Sequence, residues 1–413
     1  MRKEEFFAEA IPGSVGPLEG VRILEATQNY AGPNAGTVLV DMGAESIKID
    51  MPGFGDLVRH APPFIESRSE LDRGAQHLSI NRNKQNITLN LKSAKGREIF
   101  LELAQRVDIV IENFKPGTME KWGLGYQDVR RVKPDIIYTS VSGYGQFGPY
   151  SHRPSYDAVA QAVGGLMSVN GYPDRPPTRT GNGLGDSLAG WQGAMASLAA
   201  LHYRNRTGRG QHVDISQVDT ILYTSDFGIL AAANANYRWE RMGSENPMVA
   251  PYNAYECKDG YVFIGVALDA HWARLCQIMG REELILDPRS RVLADRARNR
   301  ELVNGAVNAW TKTKCVGEVV DALDEAQLVV APILDFHQIL EDPHIQEREM
   351  IAEVEHPAAG KLKIYGVAAK FSVTPARVRM PAPMMGQHNP EVYQGWLGYR
   401  PEQIDQLREE GVI

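Results

Sequence analysis

The chain has 413 residues, 43% of them hydrophobic and 23% charged, with a formal net charge of −7. This composition is that of a globular protein in water, and the length predicts roughly two or three domains. The acidic balance argues against a broad nucleic-acid or anionic-membrane surface, and no stretch reaches the roughly 18 apolar residues of a membrane span.

The opening MRKEEFFAEAIPG lacks the apolar core of a signal peptide. Residues 21–27 (VRILEAT) predict a buried strand, 34–42 a helix and 45–50 (ESIKID) a second strand. A helix over 95–106 precedes a strand over 108–112 (DIVIE), and a helix over 125–132 precedes a strand over 135–141. Strands alternating with helices at this spacing imply an α/β fold, a parallel sheet with helices on its faces. A long helix follows to about residue 204, and residues 212–217 (HVDISQ) begin another element. The pattern changes after residue 225. An extended segment over 247–258, a turn at Asp259–Gly260 and a strand over 261–267 are followed by helices at 270–279, 299–311 and 318–326. A short apolar strand (329–334), a Pro-rich crossing linker (374–390) and a last helix (401–410) complete the chain. The expected organisation is a large Rossmann-like domain over 1–225, a smaller α+β domain over 226–370, and a C-terminal segment, 371–413, returning to the large domain.

The turn after the first strand, AGPNAG (31–36), is not the G-x-G-x-x-G of dinucleotide-binding folds. Pro33 removes an N–H where a phosphate would need one. Asp50 ends the second strand as a ribose-binding acid would, but one acid without the glycines is weak support for a nicotinamide site. Cys257, Cys276 and Cys315 are odd in number, far apart and without metal-ligand spacing, so they read as reduced thiols of a cytoplasmic protein. The ten histidines form no ligand pair, and no metal site is expected.

Residues 176–190 read PPTRTGNGLGDSLAG. Asp186 stands behind Gly181, Gly183 and Gly185, at the mouth of a predicted helix. Aspartate is a common N-cap, and Gly-Asp-Ser before a helix is ordinary capping chemistry. A glycine-rich approach and a helix N-terminus are also how a carboxylate nucleophile is built. This segment alone supports both readings.

The chain as a whole resembles the family III CoA-transferases, the CaiB/BaiF group that includes formyl-CoA transferase. The segments that carry the resemblance run from about residue 16 to the last: PLEGVRILEAT, AGPNAGTVLVDMGAESIKID, NRNKQNITLNLKSAKGREIF, VIENFKPGTMEKWGLGY, SYDAVAQAVGG, GNGLGDSLAG, RTGRGQHVDIS, VVAPIL and GQHNPEVYQGWLG. Their order and spacing together are specific.

The resemblance implies that Asp186 attacks an acyl-CoA thioester to give a mixed anhydride. Released CoA thiolate then forms an aspartyl-CoA thioester, from which a free carboxylic acid takes CoA through a second anhydride. This route implies no tightly bound cofactor, with the CoA thioester as substrate. Gly181, Gly183 and Gly185 would let backbone N–H groups approach the developing oxyanion. By position, the implied CoA contacts are Gln28, Asn29, Tyr30, Ala31, Leu89, Lys92, Asn113, Phe114, Lys121 and Trp122. The lysines suit phosphates and the aromatics suit adenine or pantetheine. Taken alone, each lysine reads as a solvated surface residue. Tyr156, Arg179, Gly183 and Gly185 are the expected substrate wall.

Met51, Pro154 and Gln28 replace an arginine, a lysine and a histidine of formyl-CoA transferase. No glycine-rich lid appears around residues 243–256. These departures argue against formyl-CoA or oxalate. Arg59, Arg153, Arg175 and Arg179 could hold the second carboxylate of a dicarboxylic acid, which favours succinyl-CoA as donor. Racemases of the same fold act on 2-methylacyl-CoA and place a histidine base where Tyr156 stands, before Asp157. A tyrosine is a poor base at neutral pH. The resemblance also implies an interlocked homodimer, or a heterodimer with a related subunit, acting on small molecules, with no nucleic-acid or membrane partner.

Overall fold

The computed structural model describes residues 1–413. Six strands, β1 (Arg22–Ala26), β2 (Glu45–Asp50), β3 (Gln85–Thr88), β4 (Ile109–Glu112), β5 (Ile137–Ser142) and β6 (Gln211–Ser216), form one sheet in the order β3-β2-β1-β4-β5-β6. All its pairings are parallel. The chain runs outward from β1 to β3 and then returns to β4 on the other side of β1. That reversal is a topological switch point, where sheets of this kind leave a crevice beyond their C-terminal strand ends.

Successive side chains on a strand point to opposite faces. Leu24 of β1 and Val110 of β4 enter one core with Ile99, Phe100 and Leu103 of the helix Ala94–Ala104 and Ile404, Leu407 and Ile413 of the C-terminus. Ile23, Ile109 and Ile111 enter another with Ala35, Leu39 and Ala194. Burial on both faces explains why β1 and β4 read as nearly continuous apolar runs.

The sequence reading assigns no strand to β3 (QNIT). It is an edge strand of four residues, and polar side chains at and before it are used by the Pro-rich segment. Asn83 Oδ1 accepts from the N–H groups of Arg379 at 2.6 Å and Met380 at 3.0 Å, and Asn86 Oδ1 from Gly386 N at 2.7 Å. Asn389 Oδ1 accepts from Thr88 N at 2.9 Å. The 374–390 stretch thus covers an exposed sheet edge of its own chain.

Two compact units divide the chain. The first is Met1–Leu166, Thr180–Phe227 and Pro343–Ile413, and the second is Met167–Arg179 with Gly228–Asp342. The second contains the antiparallel sheet β7 (Tyr252–Glu256), β8 (Tyr261–Gly265) and β9 (Val329–Pro332). Val262 and Ile264 pack there against Trp272, Leu275, Val303, Val307, Val319 and Leu323. The units differ from the expected 226–370 domain in two places: residues 167–179 go with the second unit, and the return to the first begins at Pro343. The hairpin of β10 (Ile351–His356) and β11 (Gly360–Tyr365) explains the earlier return. Arg68 Nη2 donates to Pro357 O at 2.7 Å, Lys3 pairs with Glu349 at 2.7 Å, and the Arg82 guanidinium lies 4.0 Å from the Tyr365 ring centre. No helix is long and apolar enough to cross a membrane.

Candidate active site

Asp186 lies in the first turn of the 24-residue helix Leu184–Thr207, whose N-cap is Gly183. It does not cap that helix. Asp157 does so from another element, the helix Asp157–Val163. Asp157 Oδ1 accepts from Gly185 N at 2.8 Å and from Asp186 N at 3.4 Å, and its Oδ2 accepts from Gln161 Nε2 at 2.8 Å. The capping reading of Asp186 therefore fails, and its carboxylate is left to the site. One oxygen, Oδ1, accepts from Gln217 Nε2, and Oδ2 accepts no hydrogen bond. Burial pushes the Asp186 carboxyl up to about 7. The charge of Asp157 adds to the shift and the Gln217 donation opposes it. A carboxyl titrating there is partly ionised at neutral pH and, once ionised, is more basic than an ordinary aspartate.

The glycines behave differently from expectation. Gly185 spends its N–H on Asp157, so it has none to offer an oxyanion. Neither Gly181, Gly183 nor Gly185 has a left-handed backbone, and a Cβ at Gly181 would meet nothing. Gly185 alone is confined, because a Cβ there would sit 3.2 Å from Asp157 Oδ1.

The loops after β1 and β4 meet at the switch point. Asn113 Oδ1 accepts from Gln28 N at 2.7 Å, and Asn113 Nδ2 donates to Gln28 O at 2.8 Å. A Cβ on Gly32 would lie 2.7 Å from Asn113 Cγ, so glycine is required for that approach. Asn29 has φ +60° and donates its N–H to Asp56 Oδ1 at 2.9 Å. Asparagine tolerates that left-handed backbone. Tyr30 precedes the helix Ala31–Asp41, and its Oη lies 3.5 Å from Ser187 Oγ, next to Asp186. Asn34 Nδ2 donates to Ser187 O at 3.3 Å, and Gly190 leaves room for Asn34. Phe114 and Trp122 lie edge to face, 5.1 Å between ring centres. Gln28 and Asn113 thus tie the loops after β1 and β4 together, Tyr30 and Asn34 reach the Asp186 helix, and Phe114 and Trp122 pack on each other and against the core.

Other expected residues are placed less favourably. Leu89 is 1% exposed, its side chain belongs to the core, and its N–H donates to Asp50 O at 2.9 Å. Lys92 and Lys121 are exposed. Tyr156 is 72% exposed, so it is not a buried tyrosine satisfied by the backbone. Arg179 closes the 167–179 segment of the second unit, whereas Asp186 belongs to the first. Arg153 lies over the Tyr150 ring at 3.8 Å, and Arg175 pairs with Asp174 at 3.7 Å.

Arg59 is fully buried and committed, with Nε 2.9 Å from Asp50 Oδ2 and Nη1 2.5 Å from Asp72 Oδ1. It has no face for a substrate carboxylate. Asp50, 2% exposed, is also held by Lys48 at 3.1 Å. Burial alone would raise the Asp50 carboxyl, but the Lys48 and Arg59 charges win and hold it down to about 2. An aspartate so enclosed cannot receive a ribose, which removes the last support for a nicotinamide site. Lys48 also pairs with Asp56 at 2.9 Å, so the same buried charges reach the Asn29 turn. No group of three or more His, Cys, Asp or Glu side chains could hold a metal ion, and the three cysteines are unpaired.

Sequence reasoning missed Gln161 and Gln217. Nothing local marks either, since each matters through a partner well separated in sequence: Thr180 N, 19 positions on, donates to Gln161 Oε1 at 3.0 Å, and Gln217 reaches Asp186, 31 positions back.

A doubly wound parallel sheet with a partly buried carboxylate beside its switch point defines an α/β enzyme suited to acyl transfer. The profile of CoA-transferase family III matches residues 18–389. A succinyl-CoA:mesaconate CoA-transferase of Haloarcula marismortui is 38% identical over 384 residues, covering 92% of this chain and 96% of the relative. A succinyl-CoA–D-citramalate CoA-transferase of Chloroflexus aurantiacus is 37% identical over 398 residues, covering 96% and 98%. The crystal structure of a CaiB/BaiF family protein from Brucella suis superposes with a TM-score of 0.83 at 30% identity, covering 92% of this chain and 99% of that one. The chain belongs to the family III CoA-transferases and is a CoA-transferase.

Proposed function

We propose that this enzyme moves CoA from succinyl-CoA to a free carboxylic acid, with Asp186 as covalent nucleophile. Asp186 Oδ2 attacks the thioester carbonyl, expels CoA thiolate and forms a mixed anhydride. The thiolate adds to Asp186 Cγ and releases succinate, leaving an aspartyl-CoA thioester. The acceptor acid repeats the sequence in reverse order. The acyl-group energy stays in covalent bonds throughout, away from water.

One observation carries this reading: Asp157 performs the helix capping that would otherwise occupy Asp186. The carboxylate is fixed through one oxygen and open at the other. The succinyl-CoA donors named for both relatives support the choice of donor. The crevice at Gln28–Ala31 and Asn113–Phe114 is the proposed CoA site. Proton abstraction, as in a racemase, has less support. A tyrosine side chain stands where such a racemase has its histidine base, and both Asp157 oxygens already accept hydrogen bonds.

The test is trapping. The protein is mixed with succinyl-CoA and, separately, with monocarboxylic acyl-CoAs, then treated with hydroxylamine and mapped by peptide mass. A hydroxamate on Asp186, absent from Asp186→Ala, is the expected result. Efficient labelling by monocarboxylic donors but not by succinyl-CoA would remove the donor assignment.

A further inference from the structure

Gln217 is 7% exposed and begins the helix Gln217–Tyr223 directly after β6. Ser216 fixes that start, since its hydroxyl accepts from Asp219 N at 3.1 Å. The two ends of the Gln217 amide have different partners. Nε2 donates to Asp186 Oδ1, while Oε1 lies 3.5 Å from Ser155 Oγ. Positioning is one consequence. A second follows from where charge develops during transfer.

We infer that Gln217 is a catalytic residue, the oxyanion donor for the steps that take place at the carboxyl carbon of Asp186. The inference rests on the nucleophile reading above. Once Oδ2 has attacked the donor, Oδ1 is the carbonyl oxygen of the aspartyl anhydride and still faces Gln217. CoA thiolate then adds to Cγ. A C–S bond forms, the carbonyl electron pair moves onto Oδ1, and collapse breaks the Cγ–Oδ2 bond, so the donor acid leaves as its carboxylate. In the return half, the acceptor carboxylate adds to Cγ. The pair moves onto Oδ1 again, and CoA thiolate leaves. Both times the negative charge appears on the one oxygen that the Gln217 N–H reaches. A preorganised donor aimed at developing charge speeds that step. Attack on the succinyl carbonyl instead puts its charge on a substrate oxygen, so it draws no such help from this amide.

The two kinds of step separate in an intact-protein mass measurement after mixing with succinyl-CoA and other acyl-CoAs, followed by rapid quench. Acylation adds the acyl mass, and reaction at Cγ adds the mass of CoA. Gln217→Met keeps the length of the side chain and removes the donor, and Gln217→Leu serves if the first variant melts early. Loss of the donation also raises the Asp186 carboxyl further, so the comparison is made over a range of pH from about 7 upward and the rates are compared at their high-pH plateaus. The expected result is an accumulating acyl adduct, with the CoA adduct and steady-state turnover slowed roughly 100-fold. KM for succinyl-CoA should stay within about threefold. A folded variant that forms the CoA adduct at the wild-type rate, or that loses both adducts equally, overturns the role of Gln217. Wild-type protein that forms neither adduct with any donor overturns the Asp186 reading itself, so the two failures are distinguishable.

Discussion

Asp157 caps the helix that carries Asp186, with Gly185 N donating to its Oδ1 at 2.8 Å, and its negative charge also raises the Asp186 carboxyl. The two effects separate in variants. Asp157→Asn keeps an acceptor for the helix and removes the charge, although its amide N–H groups then face Gln161 Nε2. The ascending limb of kcat/KM against pH should move to lower pH in this variant. Asp157→Ala also loses the cap and should be about 1–2 kcal/mol less stable by urea unfolding. An unmoved limb in Asp157→Asn would show that the two carboxylates are not coupled.

Asp186 itself should weaken the fold at neutral pH. Its carboxyl titrates at about 7 in the folded protein against an ordinary 3.8. Between those values the unfolded chain has lost a proton that the folded chain keeps, so stability falls as pH rises through that window. Asp186→Asn removes the cost. The variant should melt above wild type at pH 8, with the difference shrinking toward pH 4, and should lose at least about 10⁴-fold in turnover. Equal melting temperatures at pH 8 would contradict a raised carboxyl.

Asp50 has the opposite sign. It is held down to about 2 by Lys48 and Arg59, so its contribution is complete above about pH 4 and is lost as pH falls toward 2. The shift corresponds to about 2 kcal/mol. Lys48→Met leaves Asp50 and Asp56 short of a buried partner and should cost about 3–5 kcal/mol, read from urea midpoints at pH 7. Lys48→Met as stable as wild type would show that the network contributes little.

The parallel sheet was legible because β1, β2, β4 and β5 are buried, branched and regularly spaced. Asp186 was singled out through its glycines and the family resemblance. The edge strand β3 was not legible, since its apolar pattern is short and Asn86 within it, like Asn83 just before it, is spent on a segment some 300 residues away. The capping role of Asp157 was hidden for a related reason: it is exercised 28 residues away, on the N–H of Gly185. Arg59 and Asp50 show the converse. In the sequence each looks available for a ligand, and only packing reveals that they occupy each other.

The reciprocal pair between Gln28 and Asn113 ties the loops of two strands on either side of the switch point. Asn113→Ala removes both hydrogen bonds, and Gly32→Ala pushes a methyl group into the Asn113 side chain. Each change disturbs the proposed CoA crevice while leaving the contacts of Asp186 with Asp157 and Gln217 in place. The expected signature is therefore a KM for acyl-CoA raised about tenfold or more, with kcat changed by less than about threefold. Initial-rate kinetics over a range of succinyl-CoA concentrations supply the measurement. A fall in kcat at constant KM would place the effect of these loops on the reacting carboxylate, and CoA binding would have to be sought elsewhere on the sheet.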